Sequence, residues 1–345
     1  MDHAANAIPS LPSNVAKEAR LPSALVTAAS DFIAAARAPN TRKAYARAWR
    51  AFGDWCEAHG RAALPASLET VAAWMADLAT SGKTPATINT YLAAVVVAHR
   101  TAGYTLDRKS PLLADVWKGI RNEAAHAQRQ ARPITSADLR SLLEVVGTAR
   151  ASDVRDAALI ALGWAGALRR SELVGLDWQE AGQGSGFVSI DERGITITLL
   201  RSKTSQAEAV TIAIPAADMP AACATLAEWA RLASLKPGQP IFRRVDHWEH
   251  VGADRLTDRS VARIIKARVG FLARVRGFTT DQAAEIAAKC SGHSLRAGYA
   301  TAAAQADLPT HRIMQHTRHK SAEMVSRYIR ESAKWTKSGL QGVGF

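Results

Sequence analysis

Three β-branched runs interrupt a chain whose hydrophobic spacing is otherwise helical, and that interruption constrains the fold most. Phe187-Val188-Ser189-Ile190 and Ile195-Thr196-Ile197-Thr198-Leu199-Leu200 flank the turn Asp191-Glu192-Arg193-Gly194. Val210-Thr211-Ile212-Ala213-Ile214 follows after Arg201-Ser202-Lys203-Thr204-Ser205-Gln206. Val, Ile and Thr are crowded at χ1 in a helix and pack well on a pleated surface, so such runs joined by short turns predict a three-stranded antiparallel sheet. From Ala216 onward the pattern is helical almost to the end. The fold expected is mainly α with a small antiparallel β-sheet.

Ahead of the sheet everything reads as helix. Pro39-Asn40-Thr41 opens a helix whose apolar face runs Tyr45, Trp49, Phe52 and Trp55 at three- and four-residue steps. A second helix covers about 67–79 with Val71, Trp74 and Leu78 inward. Thr84-Pro85 starts a third bearing Ile88, Leu92 and Val95, and a fourth holds Leu112, Val116 and Ile120. The stretch from Ala124 to Pro133 is polar and basic and ends in a helix-breaking proline, which marks a domain boundary. Helices follow around 136–147 and 152–165. With 345 residues there is chain enough for two cores. The organisation expected is a flexible N-terminus over 1–20, an all-α domain over 21–126, a linker over 127–133 and an α+β domain over 134–345 that ends in a tail.

Charge and cysteines narrow the function. Lys plus Arg number 44 against 31 for Asp plus Glu, a net +13, which points to a polyanionic partner, nucleic acid before an acidic membrane. Between Phe32 and Gly53 stand Arg37, Arg42, Lys43, Arg47 and Arg50 with no acid among them. A helix charged on one side in this way suits phosphate contact and groove entry. Cys56, Cys223 and Cys290 are far apart and show no CxxC pairing, which argues for a reducing compartment and against a disulfide framework or zinc ribbon. No basic n-region opens the chain, and no stretch reaches transmembrane length without charge. The reading is a cytoplasmic protein that meets double-stranded DNA, with no membrane and no small-molecule substrate.

The chemistry sits in the second domain. Tyr328 lies nine residues beyond His319, and both follow His293-Ser294-Leu295-Arg296-Ala297-Gly298-Tyr299-Ala300-Thr301. His293 and Arg296, three apart, share one helical face and can meet one phosphate. Another arginine lies in Gly166-Ala167-Leu168-Arg169-Arg170-Ser171-Glu172-Leu173. Arg169 and Arg170 are adjacent and cannot both point the same way, and no local rule chooses between them. Each element has a plain alternative: an Arg-Arg pair on a solvated surface, a chance HxxR, a turn lysine kept for solubility, a core tyrosine beside Met324 and Val325. Together, a phenol, two arginines and two histidines are what a protein needs to attack a phosphodiester without a metal. His311, His316 and His319 do not converge on one helical turn, and no carboxylate or cysteine at ligand spacing completes a metal site. Neither metal nor cofactor is expected, and no P-loop is present.

These stretches, in this order and spacing, resemble the tyrosine recombinases of the phage integrase family, with the turn at Arg201-Ser202-Lys203-Thr204 most similar to that of its Cre-like members. The resemblance implies a helical, SAM-like core-binding domain followed by an α+β catalytic domain, closing as a clamp around a duplex. It implies that Tyr328 is the nucleophile and that Arg169 and Arg296 hold the non-bridging oxygens, with Glu172 orienting Arg169. His293 would donate a hydrogen bond or carry a proton, His319 would donate to the scissile phosphate, and Lys203 would protonate the leaving 5′-oxygen. One departure is that Thr317-Arg318-His319 stands where the family has Leu-Gly-His. The resemblance adds Thr87, Thr90 and Arg259 as groove contacts, and Arg243 and Arg244 as backbone contacts. It further implies a homo-tetramer on an inverted-repeat recombination site that exchanges strands through a Holliday junction. A type IB topoisomerase and a catalytically inactive architectural protein are the rival readings.

Overall fold

The computed structural model describes residues 39–124, 131–200 and 209–333, with Thr27 and Ala36 besides. The flexible stretch expected over 1–20, Arg37, most of the linker, Lys203 and the tail beyond 333 lie outside the described residues. The chain divides into two units, Met1–Arg129 and Gln130–Phe345.

The first unit is helical: α1 Pro39–Ala58, α2 Leu68–Thr80, α3 Pro85–Thr101 and α4 Pro111–Glu123. Side chains set the helix starts. Ser67 and Thr84 accept hydrogen bonds from the backbone N–H of Thr70 and Thr87, and Pro85 and Pro111 occupy first turns where no donor is needed. Helix α1 packs on α3 and α2 on α4. Phe52, Trp74, Met75, Ile88 and Leu113 are buried at the centre, with the Phe52 and Trp74 rings 4.7 Å apart. Each such side chain contributes roughly 1.5–3 kcal/mol of burial. His99 is buried among them, its Nδ1 on the Val95 carbonyl and its Nε2 accepting from the Ala66 N–H.

The second unit opens on α5 Ser136–Val145, started by a capping box between Thr135 and Asp138, and α6 Ala151–Ala165, which is buried along nearly its whole length. A five-residue helix, α7 Arg170–Val174, leads into the sheet. Strands β2 Gly186–Asp191, β3 Gly194–Leu199 and β4 Val210–Pro215 pair antiparallel in register, Gly186 opposite Leu199 and Gly194 opposite Pro215. Inward residues Val188, Ile195, Ile197, Ile212 and Ile214 supply the sheet's buried face. The remaining elements are α8 Pro220–Leu232, which packs on α6, then the hairpin β5 Arg243–Val245 and β6 Val251–Arg255. After it come α9 Asp258–Val275, α10 Thr280–Ala288, α11 Ser294–Gln305, α12 Thr310–Thr317 and α13 Ala322–Ala333.

Two strand features depart from the three-strand, otherwise helical expectation. A fourth strand, β1 Leu176–Trp178, joins the sheet parallel to β2. All three of its residues are buried, so it shows no alternation, and Asp177 within it is tied to Arg255. The β5–β6 hairpin interrupts the region read as helix after Ala216. Its strands are three and five residues long, too short to display a period of two.

Candidate active site

Arg169 caps the start of α7, and Glu172 lies one turn inside it. The Arg169 Nη1 donates to Glu172 Oε1 at 2.5 Å, and the Arg169 backbone N–H donates to Oε2 at 2.9 Å. Arg170 turns the other way, to Asp258 at 3.3 Å, and remains half exposed. Of the adjacent pair, Arg169 therefore faces the cluster. Glu172 is buried; burial pushes its carboxyl up, but Arg318, the Arg169 N–H and the Arg169 guanidinium outweigh that and hold it below its ordinary range.

Arg296 sits on α11 and is 1% exposed. Helix α11 is brought close to the chain at Ile134 by Gly298, where an added Cβ would lie 1.9 Å from the Ile134 carbonyl oxygen. Arg296 Nη1 donates to the Ala167 carbonyl at 2.8 Å. Its Nη2 is buried and has no hydrogen-bond partner among the described residues. Burial, then Arg169 and Arg318, push its pKa down to about 9, so it still carries its charge at neutral pH. A buried, half-satisfied guanidinium among other cations is a strong receptor for an anion.

His293 precedes α11, and its Nε2 lies 3.0 Å from the Tyr328 hydroxyl on α13. Burial, Arg296 and Arg169 all lower the His293 pKa, which favours the neutral ring. The ring of Tyr328 stacks on that of His319, with centroids 6.1 Å apart at 25°. His319 is itself buried against Thr317. The single hydroxyl proton of Thr317 goes to the Ile313 carbonyl at 2.6 Å, so the 2.8 Å contact to His319 has Nδ1–H donating. The neutral ring thus presents a lone pair at Nε2, so in this tautomer His319 has no proton there for the donation to a phosphate that the resemblance implies. Burial first, then Arg296 and Arg169, push its pKa down to about 3.

The turn that aims His319 runs through Arg318, whose φ of 57° and ψ of 42° lie in the left-handed region. Along the chain Arg318 stands out only as a departure from a glycine. In the structure its guanidinium is buried, 7% exposed, and bonds Glu172 Oε2 at 3.0 Å. No sequence signal points to it, because its partners lie some 150 residues away. The three histidines of the 311–319 region part company: His311 is exposed, His316 stacks on Tyr299 and bonds the Ala165 carbonyl, and His319 joins Tyr328. Among the described residues no group of three or more His, Cys, Asp or Glu gathers as metal ligands.

The structure thus brings together Arg169, Glu172, His293, Arg296, His319 and Tyr328, while Lys203 lies outside the described residues. The surface cations are placed as follows. Arg42, Lys43, Arg47 and Arg50 are exposed on α1, away from buried Ala48, Phe52 and Cys56. On α3, Thr90 is exposed and donates to the Ala86 carbonyl, and Thr87 is half-buried with its hydroxyl on Thr84. Arg259 is exposed in the first turn of α9. Arg243 corrects the expectation of a backbone contact: it is buried, with Nη2 donating to the Ala233 carbonyl, and only Arg244 of that pair is exposed. Strand alternation sends neighbouring side chains to opposite faces. Among the described residues no helix is long and apolar enough to cross a membrane.

Comparison with known proteins matches residues 132–334 to the phage integrase family and residues 31–102 to the phage integrase N-terminal SAM-like domain. The chain is 37% identical over 302 residues to an integrase/recombinase XerD homologue of Selenomonas ruminantium, covering 86% of this chain and 82% of that protein. It is 29% identical over 304 residues to a tyrosine recombinase of Synechococcus elongatus, covering 85% of each. Among solved structures, a lambda integrase dimer bound to a COC′ core site aligns with a TM-score of 0.49 at 16% identity, covering 92% of this chain and 74% of that one.

Proposed function

The chain belongs to the phage integrase family as a tyrosine site-specific recombinase, and from that premise we propose how its residues break and rejoin DNA. The observation that carries the reading is the unpartnered Nη2 of buried Arg296 in the same cluster as a tyrosine hydroxyl held on a histidine nitrogen. A scissile phosphate fills that gap. Arg296 and Arg169 bind its non-bridging oxygens and stabilise the charge of the pentacoordinate transition state. His293, neutral at Nε2, takes the phenol proton as the Tyr328 oxygen bonds to phosphorus. The P–O5′ bond breaks, and Lys203 gives the leaving oxygen its proton. The products are a 3′-phosphotyrosine and a free 5′-hydroxyl, and attack by a 5′-hydroxyl from a second duplex reverses the step. Bond energy is conserved, so the scheme draws on no nucleotide.

At the level of the complex, we place double-stranded DNA with an inverted-repeat site as the substrate. Four protomers pair two such sites and exchange strands in two steps through a Holliday junction. The exposed cations of α1, with Thr87, Thr90, Arg244 and Arg259, are the proposed DNA contacts.

The test is direct. A binding site is first selected from a randomised duplex library with the Tyr328→Phe protein, then built into a duplex nicked just beyond the cleavage position so that the short fragment bearing the freed 5′-hydroxyl is lost. Wild-type protein is expected to form an adduct that survives denaturing electrophoresis, and Tyr328→Phe to bind equally and form none. An adduct in the phenylalanine variant would remove Tyr328 from the reaction.

A further inference from the structure

Arg318 occupies a backbone conformation that suits glycine and that side-chain-bearing residues adopt only under strain. The return for that strain is in its guanidinium. Nη1 donates to the carbonyls of Gly166 at 3.1 Å and His316 at 2.8 Å, and Nη2 to the Ala167 carbonyl at 2.9 Å and Glu172 Oε2 at 3.0 Å. Two loops are thereby joined: the one before α7 that ends in Arg169, and the one after α12 that carries His319. Ala167, itself at a φ of 44°, accepts from both Arg318 and Arg296. The Glu172 carboxylate is divided, Oε1 to Arg169 and Oε2 to the Arg169 N–H and Arg318.

We propose that Arg318 is a positioning residue of the recombinase site, holding Glu172 and the Gly166–Arg169 loop so that Arg169 and Arg296 meet the phosphate in one fixed arrangement. It also shares the one carboxylate charge in the cluster, so Arg169 is left with more of its positive field for the transition state. Both terminal nitrogens of Arg318 are spent on protein acceptors, and only its buried Nε has no partner among the described residues, so the role proposed for it is the hold on its neighbours. The proposal rests on the recombinase reading, and it reaches a residue that the family pattern leaves as glycine.

The test compares Arg318→Gly, which fits the backbone, Arg318→Lys, which keeps the charge without the fork, Glu172→Gln and the Arg318→Gly/Glu172→Gln double variant. Adduct formation on the nicked duplex at saturating protein is measured beside DNA affinity. Arg318→Gly is expected to slow adduct formation by about tenfold or more with affinity within about twofold, and Arg318→Lys to recover part of the rate. The double variant is expected to lose less than the product of the two single losses, because part of what Arg318 does runs through Glu172. Rates for Arg318→Gly within about twofold of wild type, or losses that multiply in the double variant, would overturn the proposal.

Hydrogen exchange of residues 166–173 in the DNA-free protein supplies a second readout that does not depend on cleavage. Protection is expected to fall in Arg318→Gly, and unchanged protection refutes the clamp even if wild type forms no adduct. A wild-type protein that forms none counts against the recombinase mechanism alone.

Discussion

At the scale of single residues the cluster sets several cations against one carboxylate among the described residues. Removing Arg296 takes away the side chain whose open Nη2 is the proposed phosphate receptor. Arg169→Ala and Arg296→Ala are each expected to slow cleavage by about two orders of magnitude or more, read as adduct formation in a single turnover. A rate within a few-fold of wild type would take the residue out of the site. The pH behaviour follows from His319, whose pKa drops from an ordinary 6.5 to about 3 in the folded protein. Between those values the unfolded chain binds a proton that the native protein does not, so stability is full above pH 6.5 and declines as pH falls toward 3. Glu172, held low by Arg318 and Arg169, adds a loss in the same direction as pH falls through its folded pKa. Urea midpoints measured from pH 7 downward should therefore decline, and the decline beginning near 6.5 should be smaller in His319→Gln. An equal decline in that variant would mean His319 titrates normally.

Among the elements, α11 and α1 carry the clearest consequences. Helix α11 holds Arg296 where it is because Gly298 lets the helix touch the Ile134 carbonyl, which also accepts from Trp164 Nε1 at 2.9 Å. Gly298→Ala would drive a methyl into backbone with no flexible end to yield. The expected cost is about 1–3 kcal/mol in unfolding free energy, with cleavage falling as well because Arg296 shifts with the helix. Unaltered stability would show that the contact relaxes freely. Helix α1 is two-faced, with Ala48, Phe52 and Cys56 buried and Arg42, Lys43, Arg47 and Arg50 exposed. Reversing Arg47 to Glu should leave the first unit folded and weaken DNA binding across sequences, with a shallower salt dependence. Binding that is unchanged in strength and salt slope would move the DNA elsewhere.

For the whole molecule, the net charge of +13 is proposed to meet DNA phosphates. The logarithm of the binding constant should fall linearly with the logarithm of salt concentration, with a slope of several units from counterion release. A flat dependence, measured by gel shift or anisotropy over a salt series, would mean that the basic residues do not face DNA. The two units make separate cores, one built around Phe52 and Trp74 and the other around α6 and the sheet. The α1 cations proposed to meet DNA are exposed on the first unit, and the groups proposed to react are gathered in the second with Arg244 and Arg259.

The sequence alone determined the period of each segment, and hence the helices around Phe52, Trp74 and Ile88, a fourth in which Leu113 and not the expected Leu112 is buried, and the three strands around Ile195, Ile197 and Ile212. The side chains proposed for the chemistry are also legible there, because Arg-x-x-Glu, His-x-x-Arg and His-x8-Tyr are read along the chain without knowing where they meet. What it could not reach were contacts of long sequence separation and elements too short to repeat. Strand β1 and the β5–β6 hairpin fall below the length at which a period is visible. Between Arg169 and Arg170 no local rule chose, though the family resemblance implied Arg169; Asp258, far along the chain, draws Arg170 outward. Arg243 and Arg244 look alike in sequence, and only packing against Ala233 separates the buried one from the exposed one. Arg318 is the sharpest case: in sequence it is a missing glycine, and only the fold, by carrying Glu172 to within 3.0 Å of it, gives it the role proposed above. Local propensity is written in neighbours, but a buried charge acquires its meaning from partners that only tertiary structure brings near.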